Sequence, residues 1–369
     1  MRVMSAGDGY KYLLRSVVAN DGDRALSTPL TRYYTEEGTP PGRWMGSALT
    51  ALAGALMAGD EVSEEHQRLI GQGHDPVTDH PLGSAYRKYP TLTERVRLRT
   101  AKLDPYLPIT ERAEAVTVIE SEEIRKGSRK AVAGFDFTFS IPKSASVLWA
   151  VSDAGTQSLI ADAHHAAVTE MVAFIEREVA ATRVGEAGRN GAVAQVDVTG
   201  VIATAFDHYD SRAGDPHLHT HVVISNKVQT AQDGRWRSLD GRPLHAATVA
   251  LSELHEAVFA DHLTRAFGAE WEARDMGRDR NPAWAISAVP EEVVAEFSTR
   301  ARHIDAETDH LIEQYVATHG RRPAPAVIVR LRAQATLSTR PEKQVRSLAD
   351  LTGEWRERAS HLLGEDATR

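Results

Sequence analysis

Between His208 and Gln229 the chain reads HYDSRAGDPHLHTHVVISNKVQ, with histidines at 208, 217, 219 and 221 ahead of an apolar run. On an extended strand, side chains two apart point to one face. His219 and His221 therefore present two imidazoles side by side, while Leu218, Thr220 and Val222 point the other way. Imidazole is the commonest protein ligand for metals. Two on one strand face, with a third close by, make a three-histidine site with positions open to substrate. Asp215-Pro216 breaks the chain just before this strand, since a residue preceding proline is driven away from helix. His208 lies across that turn. A preceding strand over Val196–Phe206 would return it beside His219 and His221. A lone histidine is more often a satisfied surface or core residue, but three in phase before a β-branched strand are hard to explain that way. A closed zinc site fits poorly, because there is no cysteine and no fourth ligand at finger spacing.

Such a site polarises a phosphoryl or carbonyl oxygen and needs a nucleophile. Four of the nine tyrosines lie before position 35: Tyr10, Tyr12, Tyr33 and Tyr34. A phenol attacking a metal-bound phosphodiester would split one hard transfer into two reversible steps. Gly7-Asp8-Gly9 is a turn signal, and Asp8 a candidate helix cap. Tyr10, Leu13, Leu14, Val17 and Val18 then recur at helical spacing. Tyr10 falls in the first turn, where a helix N-terminus favours phosphate. Tyr12, two residues on, is expected to point away and pack.

Composition sets the frame. The 369 residues are 42% hydrophobic and 25% charged, with no cysteine and a net charge of −8. That is an ordinary globular make-up with room for two or three domains. It excludes disulfide and thiol chemistry. No apolar run approaches a membrane span, and the N-terminus lacks the apolar core of a signal peptide; a cytoplasmic location is expected. The net charge argues against a sequence-independent nucleic-acid coat. Charge is uneven, however. Gly320–Arg346 holds seven basic residues and one acid, a patch that suits phosphates or a solvated helical face equally well. There is no GxxxxGK[ST], which excludes a P-loop nucleotide engine.

The elements that must position these groups follow from periodicity. Ala131–Ser140 reads as a strand, with Phe135, Phe137 and Phe139 on one face and Asp136, Thr138 and Ser140 on the other. Asp136 is suited to orient a ligand histidine by accepting its second ring N–H. Glu61–Pro90 reads as an irregular excursion, Thr110–Gly127 as a helix and Thr156–Arg183 as a long amphipathic helix. Val193–Phe206 reads as a strand. Gln232-Asp233-Gly234 marks a hairpin, Ala247–Phe267 a helix and Trp271–Ser287 a short hairpin. Glu291–Arg302, Ala306–His319 and Pro325–Leu337 are helical. Leu348–Arg369 reads as a frayed helix.

Four stretches together resemble the relaxase domain of MobF-type conjugative relaxases, in the His-hydrophobe-His endonuclease superfamily. They are SAGDGYKYL, RYYTEEGTPPGRWMG, GFDFTFSIPKSAS and HYDSRAGDPHLHTH. The resemblance implies an α+β fold: an antiparallel β-sheet palm flanked by helices, with a C-terminal helical fingers element. It implies nicking of one strand of single-stranded or hairpin origin-of-transfer DNA through a 5′-phosphotyrosyl intermediate, then rejoining. Carried over, His208, His219 and His221 match the metal ligands and Asp136 the supporting carboxylate. Tyr10 matches the nicking nucleophile, and Tyr33 or Tyr34 the tyrosine used when transfer ends. Arg212, four residues after His208, is expected either to clamp a phosphate or to be an exposed loop charge. The cofactor expected is one divalent cation, magnesium or manganese, with zinc or nickel as further candidates. Accessory relaxosome proteins and a coupling protein are the implied partners. In this chain the first tyrosine pair is split by Lys11, and His217 is an additional in-phase histidine. The expected organisation is a palm over residues 1–289 with an added element around 61–119, fingers over 290–346 and a polar tail over 347–369, an isolated relaxase domain without a helicase part. Two alternatives stand beside it: a rolling-circle replication initiator, whose tyrosine normally follows the histidines, and an inactive origin-binding module.

Overall fold

The computed structural model describes residues 1–14, 39–54, 56–185, 193–277, 280–342 and 344–368. Its strands are β1 (Arg2–Ser5), β2 (Gly42–Met45), β3 (Glu61–Val62), β4 (Val132–Ser140), β5 (Ala181–Gly185), β6 (Val193–Asp197), β7 (Ala203–Asp210), β8 (Pro216–Ser225), β9 (Lys227–Gln229), β10 (Trp236–Ser238), β11 (Trp271–Arg274) and β12 (Ala283–Ile286). Its α-helices are α1 (Lys11–Leu14), α2 (Glu64–Gln72), α3 (Leu92–Thr100), α4 (Ile109–Lys126), α5 (Lys143–Val151), α6 (Ala154–Phe174), α7 (Gly241–Phe267), α8 (Glu291–Glu296), α9 (Thr299–His319), α10 (Pro325–Ser338) and α11 (Leu348–Leu363). Six strands form one antiparallel sheet in the order β1-β4-β8-β7-β2-β3. β5–β6, β9–β10 and β11–β12 form two-stranded ribbons. The fold is α+β.

Alternation decides the two faces of the sheet. Phe135, Phe137 and Phe139 of β4, Ala205 of β7 and Val222 of β8 go to the back. There they pack with Val168, Met171 and Val172 of α6 and Leu244 and Leu251 of α7. Each of the larger enclosed side chains contributes about 1.5–3 kcal/mol of burial. The helices have local start and stop signals. Asp153 accepts from the backbone N–H groups of Gly155 and Thr156, and Asp240 from that of Arg242. Gly268 ends α7 at φ 72°, a left-handed conformation that glycine adopts without strain. At Gly134 a Cβ would lie 2.5 Å from the Ile224 carbonyl oxygen, so glycine permits the close approach of β4 to β8.

On the front face, Trp44, Phe206 and Val223 pack with Met4, Tyr10, Leu13 and Ile70. β3 joins the main sheet, and α2 is capped by Ser63 and ended by Gly73. Glu61–Pro90 is therefore not irregular throughout, and the first part of 61–119 belongs to the body. α3 buries no residue and packs on α4, where Glu123 is held by Arg95, Arg99 and Lys126.

Three further expectations are corrected. The helix expected to reach Arg183 stops at Phe174, followed by a π turn over Ile175–Val179 and then β5. The strand expected over Val193–Phe206 divides into β6 and β7 around Gly200. The expected polar tail, 347–369, contains α11, whose Leu348, Leu351, Trp355 and Ala359 enter the core with Trp149, Phe259 and Leu218. Their spacing of three and four is the helical stripe of a packed element.

Candidate metal and nucleophile site

β7 and β8 form a tight antiparallel pair in which His208 lies opposite His219 and Phe206 opposite His221. The register shifts between His208 and Asp210, and the turn closes with the Ser211 N–H donating to the Asp215 carbonyl at 2.8 Å. Alternation then brings all three histidines to the front face. One ring nitrogen from each of His208, His219 and His221 lies within 4.8 Å of the others. An ion about 2.1 Å from each nitrogen would draw them to within about 4.2 Å of one another, a shift that small ring rotations supply. Among the described residues no other such group of three occurs.

The surroundings prepare two rings for ligation. His219 Nδ1 lies 2.7 Å from the carbonyl oxygen of His217, so it donates there and leaves Nε2 for a cation. His221 Nδ1 lies 2.9 Å from Asp136 Oδ1 on β4, which again leaves Nε2. Burial holds the His219 imidazole well below its usual range, and the neighbouring histidines push the same way. Neutral imidazole is the form that binds metal. His217 stacks obliquely on His219 with centroids 4.6 Å apart, and burial, aided by Lys143, lowers its pKa to about 4. A divalent cation fits this donor set. Three imidazole rings converge, two of them tied behind by acceptors.

Tyr12 completes the front face. Its hydroxyl donates to Asp136 Oδ2, its ring meets His221 edge-on at 6.2 Å, and the Arg2 guanidinium lies 4.6 Å over the ring. Burial and then the Asp136 carboxylate push the phenol upward, so it is held protonated. Tyr10 has the opposite fate. It is buried in the front cluster with Leu13, Trp44 and Ile70, and its ring lies against Gly71. The cause is local. Asp8–Tyr10 is a 3-10 turn, followed by the single turn α1. Tyr10 and Leu13, three apart, face the core together, while Tyr12 packs at the edge of the same cluster and turns its hydroxyl to Asp136. The signal was available: Tyr10 belongs to the apolar stripe of its own helix, and a residue on that stripe is a core residue.

Arg212 sits half-buried in the β7–β8 turn, and its guanidinium donates to the Pro341 carbonyl at 3.3 Å. The same turn is held by Trp355, whose indole N–H donates to the Gly214 carbonyl at 2.7 Å. Asp215 accepts from the Thr299 N–H at 2.9 Å, and the Lys143 ammonium donates to the Pro216 carbonyl at 2.6 Å. The structure thus brings His208, His219, His221, Asp136 and Tyr12 together and leaves Tyr10 in the core. Tyr33 and Tyr34 lie outside the described residues.

The antiparallel sheet thus carries three front-face histidines beside a carboxylate and a tyrosine, and comparison with known proteins gives the family. Residues 6–362 match the TrwC relaxase family. The multifunctional conjugation protein TraI of Escherichia coli is 33% identical over 191 residues, 49% of this chain and 10% of that protein. The conjugative relaxase TrwC in its metal-bound complex with oriT DNA superposes with a TM-score of 0.64 at 20% identity, covering 100% of this chain and 99% of the other. TrwC complexed with a 27-mer DNA comprising the recognition hairpin and the cleavage site gives 0.63 at 20% identity, with the same coverage. The chain belongs to the TrwC relaxase family. It spans about a tenth of the length of the conjugation protein it matches.

Proposed function

We propose that this chain is the nicking and rejoining unit of a conjugative DNA relaxase, acting in the cytoplasm on one strand of a hairpin-bearing origin of transfer. The observation that carries the reading is the continuous contact from Tyr12 through Asp136 to His221 and the histidine triad. His208, His219 and His221 would hold one divalent cation, which supplies polarisation of a phosphodiester oxygen. Tyr12 is the nucleophile. Its phenol is held protonated, so attack requires an acceptor for the proton, and Asp136 already accepts that hydrogen bond. The Tyr12 oxygen bonds to phosphorus while the bond to the 3′ oxygen breaks. The tyrosine keeps the 5′ phosphate, and the 3′ oxygen leaves as a hydroxyl, taking a proton from solvent in exchange for the one that Asp136 has accepted and returns to solvent. Tyr33 or Tyr34 serves the later transfer that ends the cycle. Arg212 and the basic stretch of residues 320–346 supply phosphate contacts, and accessory relaxosome proteins and a coupling protein would assemble on the complex. Manganese and magnesium are the cations we favour, with zinc or nickel also suited to imidazole.

A labelled single-stranded origin oligonucleotide run on a denaturing gel tests this. Wild type gives a covalent band in the presence of Mn²⁺, and peptide mapping places the DNA on Tyr12. Tyr12→Phe removes the band, and Tyr10→Phe keeps it. A band that maps to Tyr10, and survives Tyr12→Phe, overturns the assignment. No band under any cation favours the inactive origin-binding module.

A further inference from the structure

Behind the triad, on the opposite face of the same two strands, lies a buried polar chain that the proposed chemistry does not use. Asp207 of β7 pairs with Thr220 of β8 in the ladder. That rung lies between the rung of His208 with His219 and the rung of Phe206 with His221. All three ligand positions are therefore backbone neighbours of Asp207 or Thr220. The Thr220 hydroxyl donates to Asp207 Oδ1. It also lies 2.9 Å from His164 Nε2, and His164 Nδ1 lies 3.1 Å from His255 Nε2. Asp207, Thr220, His164 and His255 are all buried. Asp207 Oδ2 contacts the Arg43 guanidinium and lies 3.1 Å from His165 Nε2.

Donor counting fixes the direction of this chain. The Asp207 carboxylate only accepts, and Thr220 has one proton, which it gives to Asp207. The hydroxyl oxygen must then accept from His164 Nε2–H. That leaves His164 Nδ1 as an acceptor, so His255 must donate from Nε2–H. Every bond runs one way, from His255 to the carboxylate anchored by Arg43. An apolar rung would serve packing alone at no desolvation cost, whereas a buried network must be satisfied at every atom to be tolerated and then specifies one arrangement.

We infer that Thr220 and Asp207 are positioning residues for the triad, their cross-strand hydrogen bond and its histidine relay fixing the spacing of the three ligand-bearing positions from behind. The inference rests on the metal reading of the triad. It assigns α6 and α7, through His164 and His255, a part in shaping a site on the other side of the sheet.

Calorimetric titration with Mn²⁺ and the visible spectrum with Co²⁺, both without DNA, test it on the full chain. Thr220→Val should bind Mn²⁺ about tenfold to a hundredfold more weakly, the range typical of groups that orient metal ligands, with an altered Co²⁺ spectrum. Thr220→Ser, which keeps the hydroxyl, should restore both. A folded Thr220→Val protein with wild-type Mn²⁺ affinity and Co²⁺ spectrum overturns the inference. Nitrogen NMR of the wild-type imidazoles is the second measurement, independent of whether the valine variant folds. His164 and His255 should both be Nε2–H tautomers; a His164 protonated at Nδ1 overturns the relay. Failure of the wild type to bind Mn²⁺ or Co²⁺ would instead overturn the metal reading, with the tautomers still deciding the relay.

Discussion

The β7–β8 ladder and the N-terminal turn supply the same site by different means. On the ladder, three histidines reach one face because strand geometry alternates with a period of two, and cross-strand pairing fixes His208 opposite His219. In the N-terminal segment, one tyrosine reaches the site because a 3-10 turn and a single α turn happen to be phased by Leu13 and Tyr10. A shift of one residue on the ladder would move every ligand to the wrong face and expose the core, so the register is strongly specified. Rotation of the N-terminal turn would take Tyr10 and Leu13 out of the front cluster, so the packing of those two side chains decides that Tyr12 is the residue facing Asp136. The proposed metal ligands are thus set by strand alternation and register, and the proposed nucleophile by the packing of two neighbours on one short turn.

The largest expected effect breaks the ladder side alone. His219→Ala should abolish measurable Mn²⁺ binding and the covalent adduct, as chelation of the metal should in the wild type. DNA affinity should stay within a few-fold, because it comes from phosphate contacts and base packing. Anisotropy with a labelled hairpin oligonucleotide and the adduct gel separate the two readouts. An adduct of wild-type yield from His219→Ala would show that the turn acts without the ladder.

Acid provides the next test, through the back of the ladder. Burial lowers the His255 pKa from its usual 6.5 to about 4. The unfolded chain takes up a proton near pH 6.5 that the folded chain refuses until about pH 4. Stability is therefore full above the unfolded value and falls as pH drops from about 7 towards 4, by up to about 3 kcal/mol from this group. Urea denaturation of the metal-free protein across that window measures the slope, and His255→Gln should flatten it. An unchanged slope would remove His255 from the account.

How much of this was legible follows from the same comparison. The histidine face, Asp136 on the polar side of β4 and the three phenylalanines beneath it are all consequences of alternation, which a sequence displays directly. The hairpins at residues 227–238 and 271–286 were marked by turn residues. The stripe of Tyr10 and Leu13 was visible in the sequence, but the contact of Tyr12 with Asp136 was not, since it joins segments 124 residues apart. The placement of Tyr12 depends on the tertiary partners Trp44 and Ile70 of the front cluster. The C-terminal segment was read as a frayed helix, and it was the burial of α11 that the sequence did not display. Its charged residues lower the average hydropathy, but Trp355 and its stripe decide burial, and they bind the C-terminal helix to the turn that carries the ligands.

Asp136 joins the two regions, so its removal sharpens the comparison at intermediate size. Asp136→Ala should weaken Mn²⁺ binding about tenfold to a hundredfold by releasing the His221 ring. If the carboxylate also receives the Tyr12 proton, saturating Mn²⁺ will restore metal occupancy without restoring the rate of adduct formation. Full recovery at saturating Mn²⁺ would confine Asp136 to the ladder.

The smallest effect is expected at Arg212, at the tip of the ladder's own hairpin. Its guanidinium is half-buried and tied to the Pro341 carbonyl, which fixes it beside the segment that carries part of the basic stretch. Two of that stretch's arginines are already paired, Arg332 with Asp305 and Arg346 with Glu354. Arg212 therefore adds one positive charge to a partly neutralised surface, and a partly exposed ionic contact is worth about 1 kcal/mol or less. Arg212→Ala should weaken binding of the origin oligonucleotide by about fivefold or less at low salt, and lower the salt slope of log affinity by about one. The rate of adduct formation at saturating DNA should be unchanged, because Tyr12, His219 and His221 are oriented by Asp136 and the His217 carbonyl, and Arg212 bonds the Pro341 carbonyl. A large loss of rate at saturating DNA would instead place Arg212 on the scissile phosphate and extend the rigid ladder into the chemistry itself.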